Sequence, residues 1–328
     1  MHPQQLQNRN GLFRLAALAL LLILSLLVGV RNAFAQEPVQ EVVPAAVQTV
    51  VNANITANTT WTLAGSPYDV ANDITVVEGV TLTIEPGVTV RFANHARLDV
   101  RGKILAQGTN ANRILFTGST AQKGWWENLA IQGTSGTPST GSVLDYVTVE
   151  YGGEATAGIY LYEAVVQISN TIVRNNAMHG IAGGNHAWAN LANVTLEGNG
   201  SLADHFAVYY ADGSANPTFA NITLTGNVNN VLASGSGTLL GAHVWEAAGA
   251  PYLLLGDIQV AAGASLTVQP GVEVRLAQHA AIDARGVLTA VGTADKQILF
   301  TGSTQQPGWW ETGSTNITVL FEVRLCSR

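Results

Sequence analysis

The feature that most constrains this chain is a long internal repeat without gaps. Residues 61–127 recur as residues 245–311 at a constant offset of 184, and 37 of the 67 aligned positions are identical. Both copies begin with Trp and end with the sequence Gly-Trp-Trp-Glu. A repeat of this length means that one structural unit is built twice, so the shorter period inside the unit indicates the fold.

Inside the unit, brief runs of Val, Ile, Leu and Thr alternate with turn residues, which is the pattern of short strands. Corresponding runs are spaced by 24 residues from Ile74 to Leu98 and by 22 residues from Leu82 to Ile104. Three strands fit into each period, and no connection is long enough for a crossover helix. Strands one period apart can therefore pair directly, which predicts an all-β solenoid with three short strands per turn.

The composition indicates an acidic protein that is stabilised by buried apolar side chains and backbone hydrogen bonds. Charged residues make up 11% of the 328 residues, and the net charge is −7. An acidic chain without a basic patch argues against binding to nucleic acid or to an anionic membrane surface. Cys326 is the single cysteine, which excludes an internal disulfide and zinc-ligand spacing; its role stays open.

The chain divides into five predicted segments. The first reads as a secretory signal with cleavage after Ala35, because Leu15 begins an apolar run that ends before small residues. An uncleaved anchor helix is the alternative. The last segment is either a native C-terminal cap or the product of a truncated or frame-shifted gene. The predicted segments are a signal peptide (1–35), a linker or N-terminal cap (36–60), a first cassette (61–244, with a leader at 61–127 and Asn-rich turns at 128–244), a second leader copy (245–311) and a divergent tail (312–328).

The Asn-rich turns keep the same period with different amino-acid sequences. Four strands that begin at residues 146, 170, 193 and 221 look like one strand on four successive turns. Gly152, Asn176, Asn199 and Asn227 follow them in register, so the asparagine side chains are expected to form hydrogen bonds along the axis. The last step is 28 residues long, which places an inserted loop near residues 201–205.

These segments resemble the bacterial right-handed parallel β-helix repeat proteins, which have the pectin-lyase-like fold. The resemblance rests on residues 80–88, 98–102 and 114–118, on Trp126, and on the Asn-rich turns. It implies three sheets wound into a right-handed coil of about 22–24 residues per turn. The family includes lyases, hydrolases, epimerases and adhesins, so the resemblance implies a fold without a particular activity.

Two groups of residues are candidate catalytic sites. The first is a predicted column of Glu150, Arg174, Glu197 and Thr225, which cross-strand ion pairing explains without catalysis. The second is His179 with Asp204 and His205, which could shuttle protons or bind a metal, or could be a polar surface turn. His95 and His279 occupy matched positions in the two copies, so they are expected to serve a repeated turn.

Adjacent tryptophans point to opposite faces of a strand, so one indole of each pair must leave the core. We expect Trp126 and Trp310 to be sugar-stacking residues, against the alternative that the outward ring covers a loop. The resulting expectation is an exported or cell-surface, non-catalytic module that binds glycans, adheres or acts as a spacer. Its partner would be an extracellular polysaccharide or a cell-envelope component. The alternative is a polysaccharide lyase or glycoside hydrolase, for which alone Ca²⁺ is expected; otherwise no cofactor or metal is predicted.

Overall fold

The computed structural model describes residues 48–134, 136–304, 309 and 323–325 of the chain. The predicted signal peptide, its cleavage site, Trp310 and Cys326 lie outside these residues. The described part contains one short 3₁₀ turn, Leu63–Gly65, and is otherwise built from strands and turns. None of its helical segments has the length and apolar character that crossing a bilayer requires.

The strands form a parallel β-solenoid, as the period predicts. Leu82 pairs with Ile104, and Ile74 pairs with Leu98, so strands one turn apart are hydrogen-bonded neighbours. Every strand pair in the ladders is parallel, and up to Thr225 the chain visits sheets 1, 2 and 3 in that order on each turn. The fold class expected from the sequence is therefore confirmed.

Five sheets are defined by their strands. Sheet 1 contains Thr49–Val51, Tyr68–Val70, Thr89–Phe92, Ile114–Gly118, Val147–Glu150, Ile172–Arg174, Thr195–Glu197 and Thr223–Thr225. Sheet 2 contains Ile74–Val76, Leu98–Val100, Leu129–Gln132, Ala157–Tyr162, His179–Gly184, Val208–Tyr210, Leu232–Ser234, Tyr252–Leu254, Glu273–Leu276, Ile298–Gly302 and Val323–Leu325. Sheet 3 contains Thr59–Trp61, Thr81–Ile84, Lys103–Gln107, Ser139–Asp145, Ala164–Ser169, Trp188–Ala192 and Phe219–Ala220. Sheet 4 contains Gly237–Leu239, Ile258–Val260 and Ile282–Ala284, and sheet 5 contains Ala242–Trp245, Ser265–Val268 and Val287–Ala290.

The core is a stack of aliphatic side chains inside the coil. Thr81–Ile84 illustrates the local cause, because its residues alternate between half-buried and buried positions. Leu82 and Ile84 point inward and are fully buried, while the threonines face outward. Successive turns repeat this alternation, so burial of apolar surface runs continuously along the axis, with each turn covering its neighbour.

The second leader copy has the same local structure as the first but is displaced by one sheet around the coil. Tyr68–Val70 lies in sheet 1, whereas its copy Tyr252–Leu254 lies in sheet 2. The change occurs where sheet 3 ends at Ala220 and sheet 1 ends at Thr225. Sheets 4 and 5 begin beyond that point, and only sheet 2 runs through it among the described strands.

Candidate functional site

The corner between sheets 1 and 2 carries the predicted asparagine ladder. The Asn176 Nδ2 atom donates to Asn199 Oδ1 at 2.9 Å, and Asn199 Nδ2 donates to Asn227 Oδ1 at 2.8 Å. The backbone N–H of Gly152 donates to Asn176 Oδ1 at 2.9 Å, so all four predicted positions take part. The three asparagines are buried, and the ladder satisfies side-chain and backbone groups together. The prediction is confirmed, and this corner is structural.

A second asparagine ladder, which the sequence analysis missed, lies at the corner between sheets 3 and 1. Asn193 Nδ2 donates to Asn170 Oδ1 at 3.2 Å, and Asn221 Nδ2 donates to Asn193 Oδ1 at 3.0 Å. All three have left-handed backbone conformations, with φ between 47° and 54°. Asparagine tolerates this conformation better than most residues, and this preference is the signal that could have revealed the ladder.

Trp126 is not the outward residue of its pair. Its side chain has no exposed surface and stacks on Phe92, with ring centroids 4.0 Å apart and planes inclined by 6°. Its Nε1 atom donates to the carbonyl of Glu150 at 2.9 Å. The assignment of Trp126 as a sugar-stacking residue is therefore wrong, because the bend before Leu129–Gln132 turns this indole into the core. Trp310 lies outside the described residues.

Trp125 is the partly exposed member of the pair, and Trp309 repeats its contacts. The Nε1 atoms of Trp125 and Trp309 donate to the hydroxyls of Ser119 and Ser303, in each case at 2.9 Å. Each indole lies over a glycine, Gly118 in the first copy, where an added Cβ would meet the ring at 2.9 Å. The outward indole thus covers its own turn, which is the alternative that the sequence left open.

His95 and His279 form the repeated turn that their matched positions predict. Both have left-handed backbone conformations, with φ of 62° and 64°. Both backbone N–H groups donate to a tryptophan carbonyl, Trp125 at 3.0 Å and Trp309 at 2.9 Å. In the first copy, the ring of His95 also contacts Glu154, with Nδ1 and Oε1 2.5 Å apart.

The predicted column on sheet 1 has the expected register. Glu150 pairs with Arg174, Arg174 with Glu197, and Glu197 with Thr225. Arg174 Nε lies 2.7 Å from Glu150 Oε2, and the hydroxyl of Thr117 donates to Glu150 Oε1 at 3.1 Å. The carboxylate of Glu150 is therefore neutralised and hydrogen-bonded, as a structural ion pair requires.

The two histidines of the second candidate group do come together. The ring centroids of His179 and His205 are 5.6 Å apart, and both side chains are buried. His179 Nδ1 accepts the N–H of Phe206 at 2.9 Å, and His205 Nδ1 accepts the N–H of Ser201 at 3.0 Å. Because each Nδ1 accepts, each neutral ring carries its hydrogen on Nε2.

The environment of this pair favours neutral imidazole. Burial, and after it the neighbouring His205, lower the pKa of His179 to about 4, although Asp204 acts in the opposite direction. Asp204 itself points outward, with 83% of its side chain exposed and Oδ1 3.8 Å from His205 Nε2. The pair therefore fixes the backbone of the inserted loop. Among the described residues, no group of three or more His, Cys, Asp or Glu side chains could hold a metal ion.

The acidic side chains of the outer surface are repeatedly matched with a basic one. Ion pairs join Asp69 to Arg91, Asp99 to Arg101, Glu150 to Arg174, Glu273 to Arg275 and Asp283 to Arg285, at nitrogen–oxygen distances from 2.6 to 2.9 Å. Glycosidic hydrolysis by paired carboxyl groups needs two acids on one bond. In each of these five pairs the carboxylate is instead held by an arginine.

A groove that the sequence analysis did not identify lies at the corner between sheets 2 and 3. It has a volume of about 290 Å³ and spans three successive turns of the coil. Its wall is the connection after Gln132, where Thr134 and Thr137 pair across a tight turn. The groove is lined mainly by polar and charged side chains and by glycines, with Val80 and Pro138 as its apolar members; the charged ones are Glu78, Arg101 and Lys103.

Comparison with known proteins agrees with this architecture. Residues 53–159 match the family described as a pectate-lyase-like beta helix domain. Among curated proteins, protein bark beetle of Drosophila melanogaster is 47% identical over 51 residues, which are 16% of this chain and 2% of that protein. No solved structure matches the chain significantly. Residues 53–159 therefore resemble a pectate-lyase-like beta helix domain, and the same parallel solenoid continues beyond them through the described residues.

Proposed function

We propose that this protein is an exported or cell-surface β-helix module without catalytic activity, which binds extracellular glycans and serves as an adhesive or spacing element. The observation that carries the proposal is the pairing of outer carboxylates with arginines, exemplified by Glu150 and Arg174 at 2.7 Å. A catalytic carboxylate has to be free to exchange a proton or attack the substrate. Carboxylates committed to arginine pairs favour a structural or binding surface.

The histidine group supports the same conclusion. A general base needs its acceptor nitrogen within reach of the substrate. In His179 and His205 that nitrogen accepts a backbone N–H, and both side chains are buried. The duplicated leader and the N-terminal sequence, which reads as a secretory signal, support a repetitive module outside the cell.

The test is to incubate the full-length protein with a panel of acidic and neutral polysaccharides, with and without Ca²⁺. We expect no ultraviolet absorbance from unsaturated products and no new reducing ends, together with retention of at least one glycan on an array. Product formation that is lost in a His205→Ala variant of unchanged fold would establish the lyase or hydrolase alternative. An array without any retained glycan would remove the binding role.

A further inference from the structure

The groove at the corner between sheets 2 and 3 is built from two turns of the first leader and the connection on the following turn. The turn at Glu78 and the turn at Arg101 form its floor, and Gly133, Thr134 and residues 137–140 form its wall. Gly102 is required there, because an added Cβ would lie 2.1 Å from the carbonyl oxygen of Val80. This wall is fixed at both ends by backbone hydrogen bonds. Gly133 N–H donates to the carbonyl of Tyr162, and Ser139 N–H donates to the carbonyl of Glu163, each at 2.8 Å.

The basic residues of the groove retain donor capacity. Asp99 accepts from Nε of Arg101 at 2.9 Å, which leaves the terminal amino groups of this 60% exposed side chain available. The ammonium of Lys103 has no hydrogen bond or ion pair within the described part of the chain. Its side chain lies against Gly141, whose lack of a side chain leaves room for it. Most other described cations are paired, so Lys103 stands out as a half-buried charge without a protein partner.

The second leader copy provides an internal comparison. The Arg-Gly turn is kept as Arg285 and Gly286, and Gly286 makes the same close approach to a carbonyl oxygen, at 2.3 Å. The other two charged residues are not kept, because Lys103 is replaced by Val287 and Glu78 by Ala262. The fold of this corner therefore does not need Lys103. A residue that the architecture can dispense with, in a concave polar site, is a candidate for ligand binding.

We propose that this groove binds an anionic saccharide, with the carboxylate or sulfate group of the sugar between Lys103 and Arg101. A planar guanidinium and a flexible ammonium together match the oxygen atoms of such a group. The hydroxyls of Thr81, Ser139 and Thr140 supply donors and acceptors for sugar hydroxyls. This inference rests on the proposed glycan-binding function and adds to it a location and a charge class.

The experiment uses the full-length protein on three supports that share one backbone: neutral dextran, carboxymethyl dextran and dextran sulfate. We expect retention on at least one anionic support and none on neutral dextran. The variant Lys103→Val copies the residue of the second leader and is expected to weaken this retention about tenfold, the effect of losing one charge-assisted contact. Lys103→Gln, which keeps the long side chain, is expected to behave in the same way.

The matched control is Lys296→Ala, which removes the same charge from an exposed turn and should leave retention unchanged. Preference for carboxymethyl dextran or for dextran sulfate identifies the anion. Equal retention of wild type and Lys103→Val, equal retention on neutral dextran, or no retention on any support overturns the inference. If an array then still shows glycans bound, the binding function stands without this groove; if it shows none, both proposals fail.

Discussion

At the scale of single residues, the stability of this coil depends on polar side chains placed where they cannot reach water. Asn199 is the central member of the buried ladder, and it also donates to the carbonyl of Val173 at 2.9 Å. Asn176 Nδ2 donates to its Oδ1 on one side, and its Nδ2 donates to Asn227 Oδ1 on the other. An unmade buried hydrogen bond costs more than a made one contributes, so the ladder is most sensitive at its centre.

The variant Asn199→Ala should lower the free energy of unfolding by about 3 kcal/mol or more, because it leaves at least two buried polar groups unsatisfied at roughly 1–3 kcal/mol each. The matched control is Asn193→Gly, in the exposed ladder of the same turn, where glycine accepts the left-handed conformation. Its change should stay below about 1 kcal/mol. Urea denaturation of both variants measures the difference, and similar losses would contradict the assigned role of burial.

The two tryptophan positions show how far residue types alone can be interpreted. Alternation along a strand would place one of Trp125 and Trp126 in the core without fixing which one, whereas the pair lies in the bend before Leu129–Gln132. The choice depends on the register of the preceding turn, which brings Phe92 beneath Trp126. The asparagine ladder was predictable because its members recur once per turn, so a single spacing fixed all of them.

At the scale of elements, the inserted loop at residues 201–205 is held in place by histidine acceptors. His179 accepts from the N–H of Phe206, and His205 accepts from the N–H groups of Ser201 and Leu202. From the next turn, Asn229 donates to the carbonyls of Ala203 and His205 at 2.7 and 2.8 Å. Protonation of either imidazole at Nδ1 would place an N–H group against the backbone N–H that Nδ1 now accepts. The stability of this loop is therefore expected to fall in acid.

Stability should therefore fall as the pH drops from about 6.5 to about 4. In this range the unfolded chain binds a proton at His179 and the folded protein does not, because the folded pKa is lowered to about 4. The loss should reach at most about 3 kcal/mol, since each pH unit is worth about 1.4 kcal/mol for one proton.

The variant His179→Asn keeps an oxygen acceptor for Phe206 but does not titrate, so it should flatten this pH dependence. Asp204 and His205 are the groups whose charges act on the ring, and Asp204→Asn serves as the control that leaves the His179 acceptor intact. Denaturation midpoints between pH 4 and pH 7 measure the effect. Parallel pH profiles for wild type and His179→Asn would assign the acid sensitivity to other groups.

At the scale of the whole molecule, the weakest point of the coil is the junction between the two copies. Sheets 1 and 3 end there, and the three-stranded sheets 4 and 5 begin beyond it. A cavity of about 30 Å³ lies at the same place, lined among others by Phe219, Trp245 and Tyr252. Coupling between turns of a solenoid acts through neighbouring contacts, so an interrupted interface lowers cooperativity.

Native-state hydrogen exchange should show this division. Backbone amides of Ile258–Val260 and Ser265–Val268 should exchange at a lower free energy of opening than those of Val147–Glu150 and Ala164–Ser169, because their sheets are shorter. A difference of about 2 kcal/mol or more is expected between the groups. Uniform protection on both sides of Phe219 would show that sheet 2 alone keeps the coil cooperative.

The architecture followed from the sequence more completely than the groove did. Pairing of Leu82 with Ile104 was predictable because strand spacing and turn residues recur with one period. The displacement of the second copy was not, because turns vary in length and the offset of 184 does not fix a whole number of turns. The groove combines residues from two leader turns and the connection on the turn after them. Its sequence signal was the replacement of Lys103 by Val287 within an otherwise repeated turn.

The duplication of the leader gives two copies that face different sides of the coil. Tyr68–Val70 and its copy Tyr252–Leu254 lie in different sheets. Equivalent side chains of the two leaders therefore point in different directions around the axis of the coil. A rigid, elongated ligand bound along one side of the coil would contact only one of two equivalent positions. A flexible strand would have to wrap obliquely to reach both, and two separate bodies could be held on two flanks at once.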